Sequence, residues 1–455
     1  MSEQKTILYD GKNMSLTAGT GIATYARNLI GAANELGHRS HVLYGENAGF
    51  HHDPLLREIE FFDHHPRLRR RTKFREYPSL SLRSLLPPRP YEINAGDNVI
   101  RRNFESKMPN VAGLWNSRLL YDYCDTTYRL FGRFITLKNP MAADVAHWTY
   151  PVPLRLKGAR NIYTIHDLVP LKLPFTTLDR KRQFYRMIRQ ICASADLVVT
   201  ISEQSKRDIH SLFKIADEKV VNTYQAVTIP QKYLNAPEDT VRTALKGLHD
   251  LDYKNYILFY GAIEPKKNVG RLIEAYLASG LDMPLVIVGK DGWLVDDELA
   301  LLETPVAKGR VVRINHVRFP DLVNLIRGAR MLAFPSLYEG FGLPIVEGMM
   351  CNTPVLTSNL GSTAEIAGGA ALLVDPYDIG DIRDGLIKLA RDDDFCADLV
   401  RRGSRRTNEF TPDAHKKRLQ RLVYDDCAGR APAADVRHLS GQAHETEYFH
   451  NNYTN

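Results

Sequence analysis

The 455 residues are more than one hydrophobic core usually spans, so two domains of roughly 200 residues each are expected. No apolar run approaches the ~18 residues that cross a bilayer and Met1 to Thr6 is too polar for a signal peptide, which leads to the expectation of a cytoplasmic protein, free to touch a membrane surface. Five scattered cysteines (Cys124, Cys192, Cys351, Cys396 and Cys427) without a Cys-x-x-Cys pair argue against a disulfide framework or a zinc knuckle, and a net charge of +7 favours anionic partners without choosing among them.

Along the chain, short apolar strands alternate with amphipathic helices, the pattern of parallel α/β sheets. TILYD (6–10) reads as a strand, 21–37 as a helix closed by Gly37, and HVLYG (41–45) as the next strand. Residues 46–140, rich in Arg, Pro and Tyr, fit the rhythm poorly and read as an irregular basic insertion serving an acceptor or a surface. Within it, Arg67 to Arg75 (RLRRRTKFR) carries six cations and no acid. Such a run is either a solvated face or a patch for an anionic membrane leaflet, where each cation contributes about 1 kcal/mol. Nucleic acid is set aside, because no binding motif and no interleaved aromatic platform accompany the cations.

NIYTIHDL (161–168) and ADLVVTIS (195–202) read as further strands, the second leading into the helix EQSKRDIHSLF, and together residues 1–230 form a first Rossmann-like domain. A turn-rich linker over 231–245 precedes a restart at 246–408. There NYILFYGAI (255–263), PLVIVG (284–289), RVVRI (310–314), MLAFPS (331–336) and PVLTS (354–358) are five strand candidates of a second, nucleotide-binding domain. The segment 409–427 reads as a helix crossing back to the first domain, with Leu419, Leu422 and Val423 on one side, and the polar tail 428–455 is expected to be disordered. Ligands of open parallel sheets bind beyond the carboxyl ends of the strands, so two facing sheets would share one cleft.

The chemistry-bearing motifs fall at those strand ends. MLAFPS runs into YEGFGLPIVEG (338–348), where Gly340 and Gly342 let backbone amides approach a ligand and Pro344 opens a helix whose positive end suits a diphosphate. Glu339 in the loop and Glu347 one turn into the helix could hold hydroxyls on either side of that phosphate; the plainer alternative is a capping acid and an exposed helix acid. GAIEPKKN (261–268) places Lys266 and Lys267 after a Pro-restricted turn, where ammonium groups could neutralise a leaving diphosphate. GTGI (19–22) is a glycine loop opening a helix, and His166 with Asp167 ends the NIYTIHDL strand, where a lone His-Asp pair is otherwise more often structural.

The ordered set GTGIATYARNLI, TIHDLVP, ADLVVTISEQSKRDI, GAIEPKKN, VIVGKDGW and FPSLYEGFGLPIVEGM resembles the retaining glycosyltransferases of family 4, which have the two-domain GT-B fold. The resemblance runs from about residue 6 to 410 and is weakest between 46 and 140. It implies transfer of a sugar from a nucleotide diphosphate donor with retention of anomeric configuration, no metal and no other cofactor. By position it implies that Glu339 binds donor-sugar hydroxyls, that the amides of Gly340, Phe341, Gly342 and Leu343 contact sugar and diphosphate, and that Glu347 holds the ribose. Lys267, assisted by Lys266, would hold the phosphates, His166 the donor sugar near its 6-hydroxyl, and Gly21 would lie beside the diphosphate. His166, Glu339 and Lys267 are then the catalytic candidates.

Ala262 stands where many members have arginine, and Gln225-Ala226-Val227 replaces the usual Asn-Gly-Val. TIHDLVP with IEPKKN is most similar to the mannosyltransferase-like branch, which implies GDP-mannose and a saccharide or lipid-linked saccharide acceptor, in polysaccharide or lipopolysaccharide assembly at the cytoplasmic face of the inner membrane. Three alternatives stay open: a nucleotide-sugar epimerase of the same architecture, a catalytically silent binding relative, and an NAD-dependent dehydrogenase using GTGIAT. Against the last, eight residues separate Asp10 from Gly19, whereas a dinucleotide turn follows its strand directly.

Overall fold

The computed structural model describes residues 3–14, 21–63, 88–96, 99–100 and 108–425. The cationic run Arg67 to Arg75, the glycine Gly19 and the tail beyond residue 425 lie outside them. Within the described residues no helix is long and apolar enough to cross a membrane.

The first half contributes strands β1 (Thr6–Asp10), β2 (Arg39–Tyr44), β3 (Tyr91–Ile93), β4 (Gly113–Asn116), β5 (Ile135–Leu137), β6 (Val145–Trp148), β7 (Leu154–Leu156), β8 (Arg160–Thr164), β9 (Leu197–Thr200) and β10 (Val220–Asn222). Eight of them form one sheet in the order β10-β9-β8-β6-β1-β2-β4-β3, and β5 pairs with β7 beside it. Every pairing is parallel except β3 on β4. The second half contributes β11 (Ile257–Tyr260), β12 (Leu285–Val288), β13 (Val311–Ile314), β14 (Met331–Phe334), β15 (Val355–Ser358) and β16 (Leu372–Val374), in the order β13-β12-β11-β14-β15-β16. This is the doubly wound order, with its switch point between β11 and β14. ILFY, LVIV and MLAF are wholly buried, as the central strands of a sheet covered on both faces by helices must be.

Three readings change. Residues 46–140 are not irregular throughout: β4 pairs with β2, β3 with β4, and helices span Pro54–Phe62 and Leu120–Phe131, so much of the segment widens the first sheet. The signal was weak because YEI and GLWN set Glu, Gly and Asn among few β-branched residues. The stretch read as a linker is helical, Gln231–Leu234 and Glu238–His249, with Val241 and Leu245 buried. The strand read over 161–168 stops at Thr164, leaving His166 and Asp167 in the loop beyond it.

The terminal segment ties the halves together. Pro412–Leu419 is helical, with Thr411 capping Ala414 N at 3.2 Å, and continues as a π-helical turn over Gln420–Tyr424. Leu419 and Val423 are fully buried, the Tyr424 hydroxyl meets that of Tyr9 at 2.9 Å, and Lys5 Nζ donates to Tyr424 O at 2.8 Å. One apolar cluster therefore runs from Ile7 and Leu29 through Phe410 and Tyr424 to Phe259 and Leu332.

Two predictions follow from this packing. Tyr424→Phe should cost about 1 kcal/mol, one hydrogen bond, and Tyr424→Ala about 3–5 kcal/mol in denaturant unfolding. Burial, with neighbouring positive groups, holds His147 at about 3 and His415 at about 4, below the ordinary imidazole value. Both are neutral when folded, while the unfolded chain takes up protons near pH 6.5, so their contribution is complete above that pH and is lost as pH falls. Between pH 6.5 and about 4 stability should drop by up to ~2.7 kcal/mol per pH unit from these two residues, and replacing either by glutamine should halve that share. Urea unfolding as a function of pH measures both.

Candidate functional site

The loops that follow β11 and β14, neighbours at the switch point, are held against each other. Leu337 N donates to Lys266 O at 2.8 Å, and Asn268 Nδ2 donates to Pro335 O at 3.0 Å and Pro376 O at 2.7 Å. This brings the lysines of the 3-10 turn Pro265–Lys267 onto the acid of the second loop. Lys267 Nζ lies 2.6 Å from Glu339 Oε1, Lys266 Nζ lies 3.9 Å from Glu339 Oε2 and 3.5 Å from Glu264 Oε1, and Glu339 is only 8% exposed. Burial alone would raise the Glu339 carboxyl; Lys267 and Lys266 outweigh it and hold the group below the usual carboxylate range. Lys266 is raised in turn: Glu339, Asp167 and Glu264 together overcome its desolvation. Two cations thus face two carboxylates, with Asp167 nearby.

Gly342 adopts φ +103°, a left-handed conformation that requires glycine, and caps the helix Leu343–Met350. The amides of a helix's first turn have no acceptor within it, and its dipole places partial positive charge there. Ser362 Oγ fixes the loop by donating to Glu339 O at 2.5 Å. Glu347, half-buried in the same helix, accepts from the hydroxyl of Tyr260 at the end of β11. Its carboxyl is raised by burial, with the phenol pulling the other way, so the two glutamates sit in opposite electrostatic settings.

The first half closes over this loop. A Cβ added to Gly340 would stand 2.6 Å from His166 O and 3.2 Å from Asp167 Cβ, and one added to Gly21 would stand 3.6 Å from Leu343 Cδ1. His166, Gly21, Glu339 to Leu343 and Lys266 to Lys267 are therefore brought together, with Glu347 beside them on the helix. His166 Nε2 donates to Thr149 O at 2.8 Å, and the Tyr25 ring packs edge-on against the imidazole at 4.9 Å. Burial lowers its pKa, so the ring is neutral near pH 7 with Nδ1 left as an acceptor.

Several participants carried no sequence signal of their own. The Glu365 carboxylate, from the second half, accepts from Glu203 N and Gln204 N at 2.8 Å each, capping the helix Glu203–Leu212 across the cleft. Tyr338 Oη donates to Asp208 at 2.6 Å and Trp293 Nε1 to Thr176 O at 2.7 Å, two further links between the halves. Beside Tyr150 a cavity of about 330 Å³ opens in the first half, lined by Lys12, Arg129 and Arg180 together with Asp122, Asp125 and Asp179. Among the described residues no group of three or more His, Cys, Asp or Glu is arranged to hold a metal ion.

The contact at Gly340 yields a direct test. Gly340→Ala must displace the His166 loop, so catalytic turnover should fall by about 100-fold, while thermal unfolding shows a loss of only about 1–3 kcal/mol. Activity close to that of the native protein would mean that the His166 loop is not held where turnover needs it.

Comparison with known proteins identifies the family and the fold. Residues 19–228 match the family model Glycosyltransferase Family 4 and residues 245–406 the model Glycosyl transferases group 1. O-antigen chain mannosyltransferase B of Escherichia coli is 31% identical over 268 residues, covering 57% of this chain and 68% of that one. Serotype-specific mannosyltransferase WbdA of Escherichia coli is 28% identical over 260 residues, covering 55% of this chain and 32% of that one, so the chain matches about a third of WbdA. In three dimensions, Anabaena HepE in complex with UDP and glucose superposes with a TM-score of 0.63 at 14% identity, covering 92% of this chain and 99% of that one, a likeness of fold. With two Rossmann-like sheets facing across one cleft in the GT-B arrangement, and sequence matches on both sides of it, the chain belongs to glycosyltransferase family 4.

Proposed function

We propose that this glycosyltransferase moves a mannosyl residue from a nucleotide diphosphate mannose, with GDP-mannose the first choice, to a saccharide or lipid-linked saccharide in cell-surface polysaccharide or lipopolysaccharide assembly. The observation that carries the reading is the convergence of the Lys267–Glu339 pair, the glycine-capped helix Leu343–Met350 and His166 on one point between the halves. The choice of mannose follows the two Escherichia coli relatives, both mannosyltransferases.

In the retaining reaction that the family implies, the bond between the anomeric carbon and the diphosphate breaks as the acceptor oxygen attacks on the same face, and the acceptor's proton passes to the leaving phosphate oxygen. The protein's task is to stabilise the charge developing on the diphosphate. Because Lys266 and Lys267 are matched by Glu264 and Glu339, the amides of Gly340 to Leu343 and the helix behind them take the larger part, with the ammonium N–H groups that Glu339 leaves unused assisting. Glu339 and His166 Nδ1 accept hydrogen bonds from donor-sugar hydroxyls, and Glu347 holds the ribose. No step requires a metal. The acceptor enters along the first half, where the cavity beside Tyr150 balances three cations with three carboxylates, a neutral lining suited to hydroxyl-rich saccharide. Contact with an anionic leaflet through Arg67 to Arg75, at the cytoplasmic face of the inner membrane, rests on charge alone.

The test is transfer from GDP-mannose to a mannose-terminated lipid-linked acceptor, followed by GDP release, with the product anomer assigned by NMR. Retained configuration and an unchanged rate in EDTA are expected. Glu339→Ala and Lys267→Ala should each lower transfer about 100-fold or more in protein that still folds, though less stably because the partner charge is left unpaired. Near-normal turnover by folded variants would overturn the site, and loss of activity in EDTA would overturn the metal-free mechanism.

A further inference from the structure

Glu347 differs from Glu339 in its partner: among the described residues its carboxylate accepts from the hydroxyl of Tyr260, whereas that of Glu339 meets two lysines. Tyr260 is the last residue of β11 and is 7% exposed, so its ring is fixed by the sheet rather than by solvent. β11 and β14 are paired, Ile257 opposite Met331 and Leu258 opposite Leu332, and the helix bearing Glu347 starts nine residues after β14. The sheet register therefore decides where the phenol sits relative to the carboxylate. The phenol is a permanent donor: burial and the adjoining Glu347 charge raise it well above its usual value, so it never ionises near neutral pH. With Oε2 engaged by Tyr260, Oε1 is the oxygen left with its lone pairs for a ligand.

We propose that Tyr260 is the positioning residue for ribose recognition, holding the Glu347 carboxylate in the one orientation that presents Oε1 to the ribose hydroxyls of the donor nucleotide. The proposal rests on the reading of Glu347 as the ribose-binding acid and adds what makes that acid competent. A carboxylate with rotatable χ angles and no fixed partner would lose conformational freedom on binding, and a preset one avoids that cost. The ribose is common to GDP and UDP, so the role does not depend on the base.

The experiment titrates GDP, UDP and their 2′,3′-dideoxy forms into the full chain by calorimetry, and measures KM and kcat for GDP-mannose. Tyr260→Phe keeps the ring and the packing and removes only the hydroxyl. It should weaken GDP and UDP by about tenfold, the loss of one hydrogen bond to a charged group, leave the dideoxy forms unaffected, and raise KM with kcat within about twofold. The double variant Tyr260→Phe/Glu347→Ala should bind no worse than Glu347→Ala alone, since both act through one carboxylate. If Glu347→Ala erases the preference for ribose over dideoxyribose but Tyr260→Phe leaves it intact, the positioning role is overturned and the ribose reading of Glu347 stands. If Glu347→Ala itself leaves that preference intact, the reading beneath the proposal fails and the proposal with it. A Tyr260→Phe variant that loses thermal stability while GDP affinity is unchanged assigns the phenol to packing alone and also overturns it.

Discussion

The site depends on one buried ion pair. Lys267 and Glu339 come from loops more than seventy residues apart and meet at 2.6 Å because the strands before them, β11 and β14, are neighbours in the sheet. Glu339 is too buried to remain charged unaided, and removing either partner would leave an unpaired charge in a poor solvent for it. The pair therefore fixes the protonation state of the acid and the direction of the ammonium group before any donor arrives. Such preorganisation is what charge stabilisation in a transition state requires.

The same pair limits what the lysines do. A lysine whose charge is already matched contributes less to a diphosphate than a free one, and Lys266 is shared between Glu264 and Glu339. Backbone dipoles have no such competitor. Gly342 in the left-handed region starts the helix Leu343–Met350 at the loop's end, and Gly340 lets the loop lie against His166 O without a side chain between. The glycines thus serve two surfaces, a ligand on one side and the opposing half of the protein on the other. The carboxylate of Glu365 on the helix Glu203–Leu212 and the Tyr338–Asp208 bond hold that approach at its rim.

How much of this was legible in the sequence follows from the length and spacing of its signals. The second half was readable because ILFY, LVIV, MLAF and VLTS are uninterrupted buried strands, the first three with motifs at their carboxyl ends. The first half was readable at β1, β2, β8 and β9 but not at β3, β4 and β6, where YEI, GLWN and VAHW set Glu, Gly, Asn and His among few β-branched residues, nor across the helices Gln231–Leu234 and Glu238–His249, where Asn-Ala-Pro read as a linker. The candidate residues were visible as motif members. The dehydrogenase alternative, built on GTGIAT alone, has no support beside the family membership of the whole chain. Tyr260, Glu365, Ser362 and Asp208 were invisible for a different reason: each acts through a partner 23 to 162 positions away, brought near by packing within the second half for Tyr260 and Ser362 and by the contact between the halves for Glu365 and Asp208.

The two glutamates that flank the phosphate loop show why residue type and spacing underdetermine chemistry. Both belong to one short motif, yet Glu339 is held ionised by two ammonium groups while Glu347 is raised by burial and engaged by a neutral phenol. A carboxylate with cations against it resists protonation and is a poor general acid. One held by a phenol keeps its orientation but remains sensitive to what binds next to it. The first setting suits an acid that must stay charged beside a developing phosphate charge; the second suits an acid that recognises neutral hydroxyls. Neither needs to move a proton, which agrees with a reaction in which the leaving diphosphate accepts it.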